Sequence, residues 1–290
     1  MIINNNHCPL INNLKWKVVM SDIIVTQSNE EKMWWEEDAG FFGKLYKEAD
    51  DSTQTFFEGE NNLVQRTNKE VDGVINLCSL KSGQYLIDCP CGYGRHSVAL
   101  REKGINVIGI DVNEEHLSIA RRHAEVQNSD VIFKKDDMRT FKVERQVDAL
   151  INMFYSFGFF SDEENVNAAR NFYDALKKGG KFLMHTMITV PAFGDGRIPL
   201  EEKRKLQSGR TLVSKRRFNH ITKREEGIWS LLNENNEEIS LRPYDVRIYT
   251  DIEFKELCLE AGFSKVELYG DWDGSPYNDN STYLIVVAEK

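Results

Sequence analysis

From Lys81 onward short apolar runs alternate with amphipathic stretches, and this alternation narrows the fold more than any other feature of the chain. Residues 85–89, 106–110 and 131–134 read as strands, and 95–103 and 114–127 as the helices between them. The rhythm continues with a strand over 147–153, a helix over 163–176, a turn at Lys178-Gly179-Gly180 and a strand over 181–186. Strands joined by helical crossovers run parallel, and a parallel sheet is covered on both faces. The expected class is therefore α/β, a doubly wound Rossmann-like sheet. A helix over 250–261 stopped by Gly262, then strands over 265–269 and 282–288, would make seven strands, the last two an antiparallel hairpin.

Two regions break the rhythm. Residues 211–221, 226–232 and 239–249 alternate polar and apolar positions around the turn-rich 233–238, which predicts an inserted antiparallel sheet over 211–249. Its open edges predict a homodimer, against which a monomeric sedimentation mass would count. Residues 21–80 read as an N-terminal helical lid carrying Trp34, Trp35, Phe41, Phe42, Tyr46, Phe56 and Phe57, with Thr67 and Glu70 spaced as a capping box. Residues 1–20 read as a leader or disordered stretch, because Met20-Ser21-Asp22 resembles a natural beginning, and 81–290 as the ligand-binding domain. The basic runs 203–205 and 215–217 sit among acids and read as solvated faces.

Composition removes several function classes. A net charge of −9 disfavours a phosphate backbone as partner, since that binding is driven by Lys and Arg. No run of 18 apolar residues exists, and residues 1–20 do not form a signal peptide, so no membrane is expected. Five thinly spread cysteines make neither a zinc set nor a disulfide framework; no metal is expected, and the thiols point to the cytoplasm.

The chemistry concentrates in Tyr85-Leu-Ile-Asp-Cys-Pro-Cys-Gly-Tyr-Gly-Arg-His96, a strand running through D-x-x-x-G-x-G into a helix. Gly92 and Gly94 let the backbone approach a ligand, and N–H groups at the helix start favour an anionic group such as a carboxylate. A dinucleotide fingerprint needs a third glycine where this chain has Ser97. Asp111 ends the second strand, where a carboxylate can accept both hydroxyls of a ribose or, equally, cap the next helix. Asp136-Asp137-Met138-Arg139 follows the third strand and supplies an acidic and an apolar side chain for the edge and face of an adenine. Together these features describe a ligand with a carboxylate end, a ribose and an adenine.

These motifs resemble those of class I S-adenosylmethionine-dependent methyltransferases over roughly residues 64–290, which identifies the expected sheet as the seven-stranded methyltransferase sheet and S-adenosylmethionine as the cofactor. The resemblance implies that Asp88, Cys91, Gly92 and Gly94 form the methionine-side loop. It implies further that Asp111 and Val112 hold the ribose, Asp137 and Met138 frame the adenine with His116 beside it, and Arg66 reaches the cofactor carboxylate. Asp137-Met-Arg139, Asn152-Met-Phe-Tyr-Ser-Phe-Gly158 and the inserted sheet are similar to small-molecule N-methyltransferases acting on amino sugars and antibiotic precursors. In that likeness Met153, Phe154 and Tyr155 lie beside the transferring methyl. Cys89-Pro90-Cys91 departs from it, and Pro90 removes one loop donor.

Methyl transfer from a sulfonium is an in-line displacement that needs alignment and exclusion of water more than acid or base. Where the acceptor loses a proton, His185 at the end of the fifth strand or Tyr155 is the expected base. Phe41 and Tyr46 are candidates for an aromatic acceptor cage, as against lid core, and Tyr277 for a further substrate contact. The expected function is methyl transfer to nitrogen or oxygen of a small-molecule acceptor. A methyltransferase of macromolecules, a nucleoside-binding module without turnover and a dehydrogenase are the alternatives.

Overall fold

The computed structural model of the chain describes Phe42 and residues 63–290 except 207, 208, 233, 234, 236, 241 and 242. The leader over 1–20 and residues 21–41 and 43–62 of the expected lid, Phe41 and Tyr46 included, lie outside the described residues. In chain order the first elements are α1 (Leu63–Cys78), β1 (Tyr85–Asp88), α2 (Arg95–Glu102), β2 (Asn106–Asp111), α3 (Glu114–Val126), β3 (Ile132–Lys135), β4 (Val147–Asn152), α4 (Asp162–Ala175) and β5 (Leu176–Thr186). After a short α5 (Val190–Gly194) come β6 (Glu201–Lys205), β7 (Thr211–Asn219), β8 (Arg224–Leu232), β9 (Glu238–Ser240) and β10 (Tyr244–Arg247). The chain closes with α6 (Asp251–Ala261), β11 (Lys265–Tyr269) and β12 (Leu284–Glu289).

The main sheet has seven strands in the order β11-β12-β5-β4-β1-β2-β3. β1 to β5 run parallel, and β12 and β11 add antiparallel at the far edge, as the alternating pattern predicts. Each buried strand sends successive side chains to opposite faces, so both faces are apolar. Leu86, Ile151, Leu183 and Ile285 pack with α1 and α2 residues Val71, Val74 and Leu100. Their neighbours Ile87, Leu150, Phe182 and Val286 pack with Phe172 of α4 and Phe254 of α6. Helix starts are set locally: Ser161 and Glu164 form a capping box on α4, and Thr250 and Glu253 form one on α6. Gly262, with φ of 112°, ends α6 where the sequence placed the stop. Among the described residues no helix is long and apolar enough to cross a membrane.

Two expectations need correction. Thr67 and Glu70 lie inside α1 and not at its start: the Thr67 hydroxyl donates back to Leu63 O at 2.7 Å, and Glu70 faces α2. The second sheet begins ten residues earlier than expected, at β6, with order β10-β8-β7-β6 and β9 on β8. β6 is the charged run Glu201-Glu-Lys-Arg-Lys205, whose composition hides an edge strand. Alternation does survive in it, because Arg204 is turned inward and paired with Glu202 at 3.2 Å.

Candidate active site

The β1–α2 turn carries its two glycines for different reasons. Both have positive φ, 53° at Gly92 and 77° at Gly94. A Cβ on Gly94 would lie 2.8 Å from Phe133 and 2.9 Å from Ala120, so close packing of α2 demands glycine there. A Cβ on Gly92 would meet nothing within 4 Å among the described residues, and Gly92 lines a pocket. Ser97, in place of a third glycine, donates its hydroxyl to Asp88 Oδ2 at 2.6 Å.

Three of the loop's N–H groups are turned inward. Cys91 donates to Ile110 O at 2.8 Å, Gly94 to Cys91 O at 3.0 Å, and Gly92 to Asp111 Oδ2 at 2.8 Å. A pyrophosphate would find these three donors occupied. Asp111 also accepts Asn113 N–H at 2.8 Å, while Asn113 itself caps α3, so capping is not the task of Asp111. The Val112 N–H is a third backbone donor to this carboxyl.

The pocket lies over the carboxyl ends of β1, β2 and β4, where open α/β sheets bind ligands. Cys91 and Gly92 line it from the first turn, and Asp111, Val112 and His116 from the second. Asp137 and Met138 line it from the third, and Met153 and Phe154 from the loop after β4. Arg139 holds Asp137 through two nitrogens, 2.7 to 3.2 Å from its oxygens, and reaches Glu164 at 2.7 Å. The Phe42, Phe159 and Phe160 rings also line the pocket, with Phe42 and Phe159 centroids 5.7 Å apart.

Burial shapes the acids. It pushes Asp88 up to about 7, against the pull of Ser97 and Arg95. It raises Asp111 as well, against His116 and the N–H groups of Asn113 and Gly92. Asp88 and Gly94 do not line the pocket, and Asp88 Oδ1 is buried with no hydrogen-bond partner among the described residues. Carboxylates for hydroxyls and an ammonium, with Met138 and aromatic rings for a purine face, fit S-adenosylmethionine better than a dinucleotide.

A buried charge cluster beside the pocket was not legible as a site. Glu70 Oε2 accepts from Arg95 at 2.5 Å and from His96 at 2.8 Å, and Arg95 also donates to Thr67 Oγ1 at 2.9 Å. Burial alone would raise Glu70, but Arg95 and His96 overcome it and hold the carboxyl well below its ordinary 4.5. Burial and the Arg95 charge lower His96 to about 4, so the ring is neutral and donates from Nε2. Arg95 and His96 line the pocket and Arg66 does not; the Arg66 and Arg95 guanidiniums lie 4.6 and 5.0 Å from the Phe154 ring centroid.

The loop after β4 is held in an unfavourable shape. Phe154 and Tyr155 have φ of 63° and 62°, a region that costs a side-chain-bearing residue about 1–2 kcal/mol. Asn152 ties it down, donating to Cys89 O at 3.0 Å and Ser156 O at 3.1 Å. Tyr155 does not line the pocket; its hydroxyl donates to Glu225 Oε2 at 2.6 Å, and burial raises its pKa well above 10. Tyr277 is partly buried away from the lining.

His185 is also off the lining, 1% exposed, with its ring centroid 4.9 Å from Trp272, 5.0 Å from Tyr283 and 5.6 Å from Phe154. Neither ring nitrogen has a hydrogen-bond partner among the described residues, and burial lowers its pKa to about 3. The unfolded chain takes up this proton near pH 6.5, so stability present at neutral pH is lost as pH falls from about 6.5 toward 3. His185→Phe should flatten that dependence by about 1.4 kcal/mol per pH unit between roughly pH 6 and 4. Urea unfolding of both proteins across this range measures it; equal slopes would show that His185 titrates normally.

Residues 86–180 match a family described as a methyltransferase domain. The chain is 28% identical over 129 residues to the dTDP-3-amino-3,4,6-trideoxy-alpha-D-glucopyranose N,N-dimethyltransferase of Streptomyces venezuelae, covering 44% of this chain. That alignment spans about half of the relative, 52% of its length. Among solved structures, the CcbJ methyltransferase from Streptomyces caelestis superposes with a TM-score of 0.70 at 17% identity, covering 87% of this chain and 98% of the other. S-adenosylmethionine-bound CalS10, an amino pentose methyltransferase from Micromonospora echinaspora, does so with 0.63 at 19%, covering 86% and 98%. These two likenesses concern the fold.

Proposed function

We propose that this chain, which carries a class I S-adenosylmethionine-dependent methyltransferase domain over residues 86–180, transfers a methyl group from S-adenosylmethionine to a nitrogen of a small aminated acceptor of the amino sugar type. The observation that carries the reading is the pocket at the strand ends, where Gly92 opens the turn, Asp111 ends β2, and Asp137 with Met138 follows β3. The activity named for the Streptomyces venezuelae relative, N,N-dimethylation of an amino sugar, supports the acceptor class.

Bound there, S-adenosylmethionine supplies a methyl group on a positively charged sulfur. The protein's part is to hold and to exclude water. Asp111 takes the ribose hydroxyls, Asp137 and Met138 take the adenine, Asp88 attracts the ammonium end, and Phe154 and Met153 wall the side where the acceptor enters. Nitrogen is favoured over oxygen by the state of the two expected bases. A buried His185 with a pKa of about 3 and a Tyr155 phenol held protonated are poor at taking a hydroxyl proton near pH 7. An amine arriving as its free base brings its own lone pair and needs neither.

The test is mass spectrometry of mixtures of the protein, S-adenosylmethionine and either aminated or solely hydroxylated nucleotide sugars. A gain of one or two methyl groups confined to the aminated compounds is expected. Methylation confined to hydroxyls, or to protein or nucleic acid, would defeat the assignment. The open edge of β6 leaves the homodimer as a proposal, which sedimentation decides, and the buried free thiols Cys78, Cys89, Cys91 and Cys258 support a cytoplasmic location.

A further inference from the structure

We propose that Glu225, a residue of the second sheet remote in sequence from every pocket motif, positions the acceptor-side wall of the cofactor pocket by holding Tyr155. The proposal rests on the reading of that pocket as the S-adenosylmethionine site. Its starting point is the pair Phe154 and Tyr155, consecutive residues in the left-handed region, neither of them glycine or asparagine. Nothing local favours this backbone, so contacts from elsewhere must hold it. Phe154 is held by the Arg66 and Arg95 guanidiniums, 4.6 and 5.0 Å from its ring centroid, and by the His185 ring at 5.6 Å. Tyr155 is held from behind: its N–H donates to His185 O at 3.2 Å, and its hydroxyl to Glu225 at 2.6 Å.

Glu225 is built to be immobile. It is 0% exposed, and its second oxygen accepts the Tyr244 hydroxyl at 2.7 Å and lies 3.5 Å from Arg216 Nη1. Alternation along β8 places Glu225 on the same inward face as Gly227, Trp229 and Leu231, where an apolar residue would pack. Buried charged groups of this kind often add no stability over an apolar replacement, so stability alone is a weak reason for a carboxylate here. A fixed acceptor for the Tyr155 hydroxyl is a specific one. Through it the position of the Phe154 ring depends on the second sheet, and Glu225 acts on the cofactor without touching it.

Two tyrosines bonded to one carboxylate give a matched control. Tyr155→Phe and Tyr244→Phe each delete one buried hydrogen bond to Glu225, Tyr244→Phe also its contact with Trp229, and only Tyr155 belongs to the pocket loop. Calorimetric titration of S-adenosylhomocysteine and thermal unfolding are measured on both variants and the wild type. Tyr155→Phe is expected to weaken binding about tenfold, the scale of one lost hydrogen bond, whereas Tyr244→Phe stays within about twofold and melts comparably early. Glu225→Gln, which keeps an oxygen for the Tyr155 hydroxyl, should bind more tightly than Glu225→Leu. Unchanged affinity in Tyr155→Phe, or equal weakening in both tyrosine variants, would overturn the proposal. Failure of the wild type to bind would instead overturn the reading of the pocket, and is seen before any variant is compared.

Discussion

Asp111→Ala is expected to lower the affinity for S-adenosylhomocysteine at least 100-fold while leaving the protein folded. The Asp111 carboxyl is buried, and hydrogen bonds to groups that can carry charge contribute about 1.5–3 kcal/mol each. Losing two ribose bonds therefore removes roughly 3–6 kcal/mol, at about 1.4 kcal/mol per tenfold in affinity. A second effect has the same sign. Asp111 accepts the Gly92 N–H, so its loss frees the turn from the geometry that leaves Gly92 open to the pocket. Titration calorimetry with circular dichroism as the folding control measures both. A folded variant binding within threefold of wild type would remove Asp111 from the site.

Glu70→Gln is expected to cause the largest loss of stability, about 3–5 kcal/mol, because it deletes the negative charge facing Arg66, Arg95 and His96 at a residue only 3% exposed. For a chain of this size that corresponds to a melting temperature lower by roughly 10 °C. The pH dependence has a definite sign. Burial would raise the Glu70 carboxyl, but Arg95 and His96 hold it well below 4.5, so its contribution is complete above about pH 4.5 and drains away as pH falls below that. The gap between wild type and variant should be constant from neutral pH down to about 5 and narrow on further acidification. A gap unchanged down to pH 3, or no gap at all, would contradict this account of the cluster. Cofactor affinity should fall too, since Arg95 and His96 line the pocket.

The order of strands and helices was legible because parallel strands buried on both faces read as continuous apolar runs, and 3.6-residue periodicity separates the helices between them. Gly92, Asp111, Asp137 and Met138 were legible for a related reason: each lies at a strand end or within four residues after one, so position in the sequence fixes position on the rim of the sheet. What stayed hidden depends on partners distant in the chain. Glu70 read as a helix cap because Thr67 lies three residues before it, whereas its partners Arg95 and His96 lie 25 and 26 residues away. β6 was hidden by its charges, and the phase of alternation in β8, which turns Glu225 inward with Trp229, was the one available sign of the Tyr155 anchor. His185 illustrates the opposite error. Its place at the end of β5 suggested a base, but side chains alternate across a strand, and this one faces Trp272 and Tyr283, not the pocket.

The measurement that bears most directly on the central claim is calorimetric titration of the unmodified protein with S-adenosylhomocysteine and, separately, with NAD. The inward-turned N–H groups of Cys91, Gly92 and Gly94, together with the acidic lining, predict saturable binding of S-adenosylhomocysteine at one site per chain with a dissociation constant on the order of micromolar, and no measurable heat with NAD. Binding of NAD in preference, or binding of neither, would contradict the assignment of this pocket.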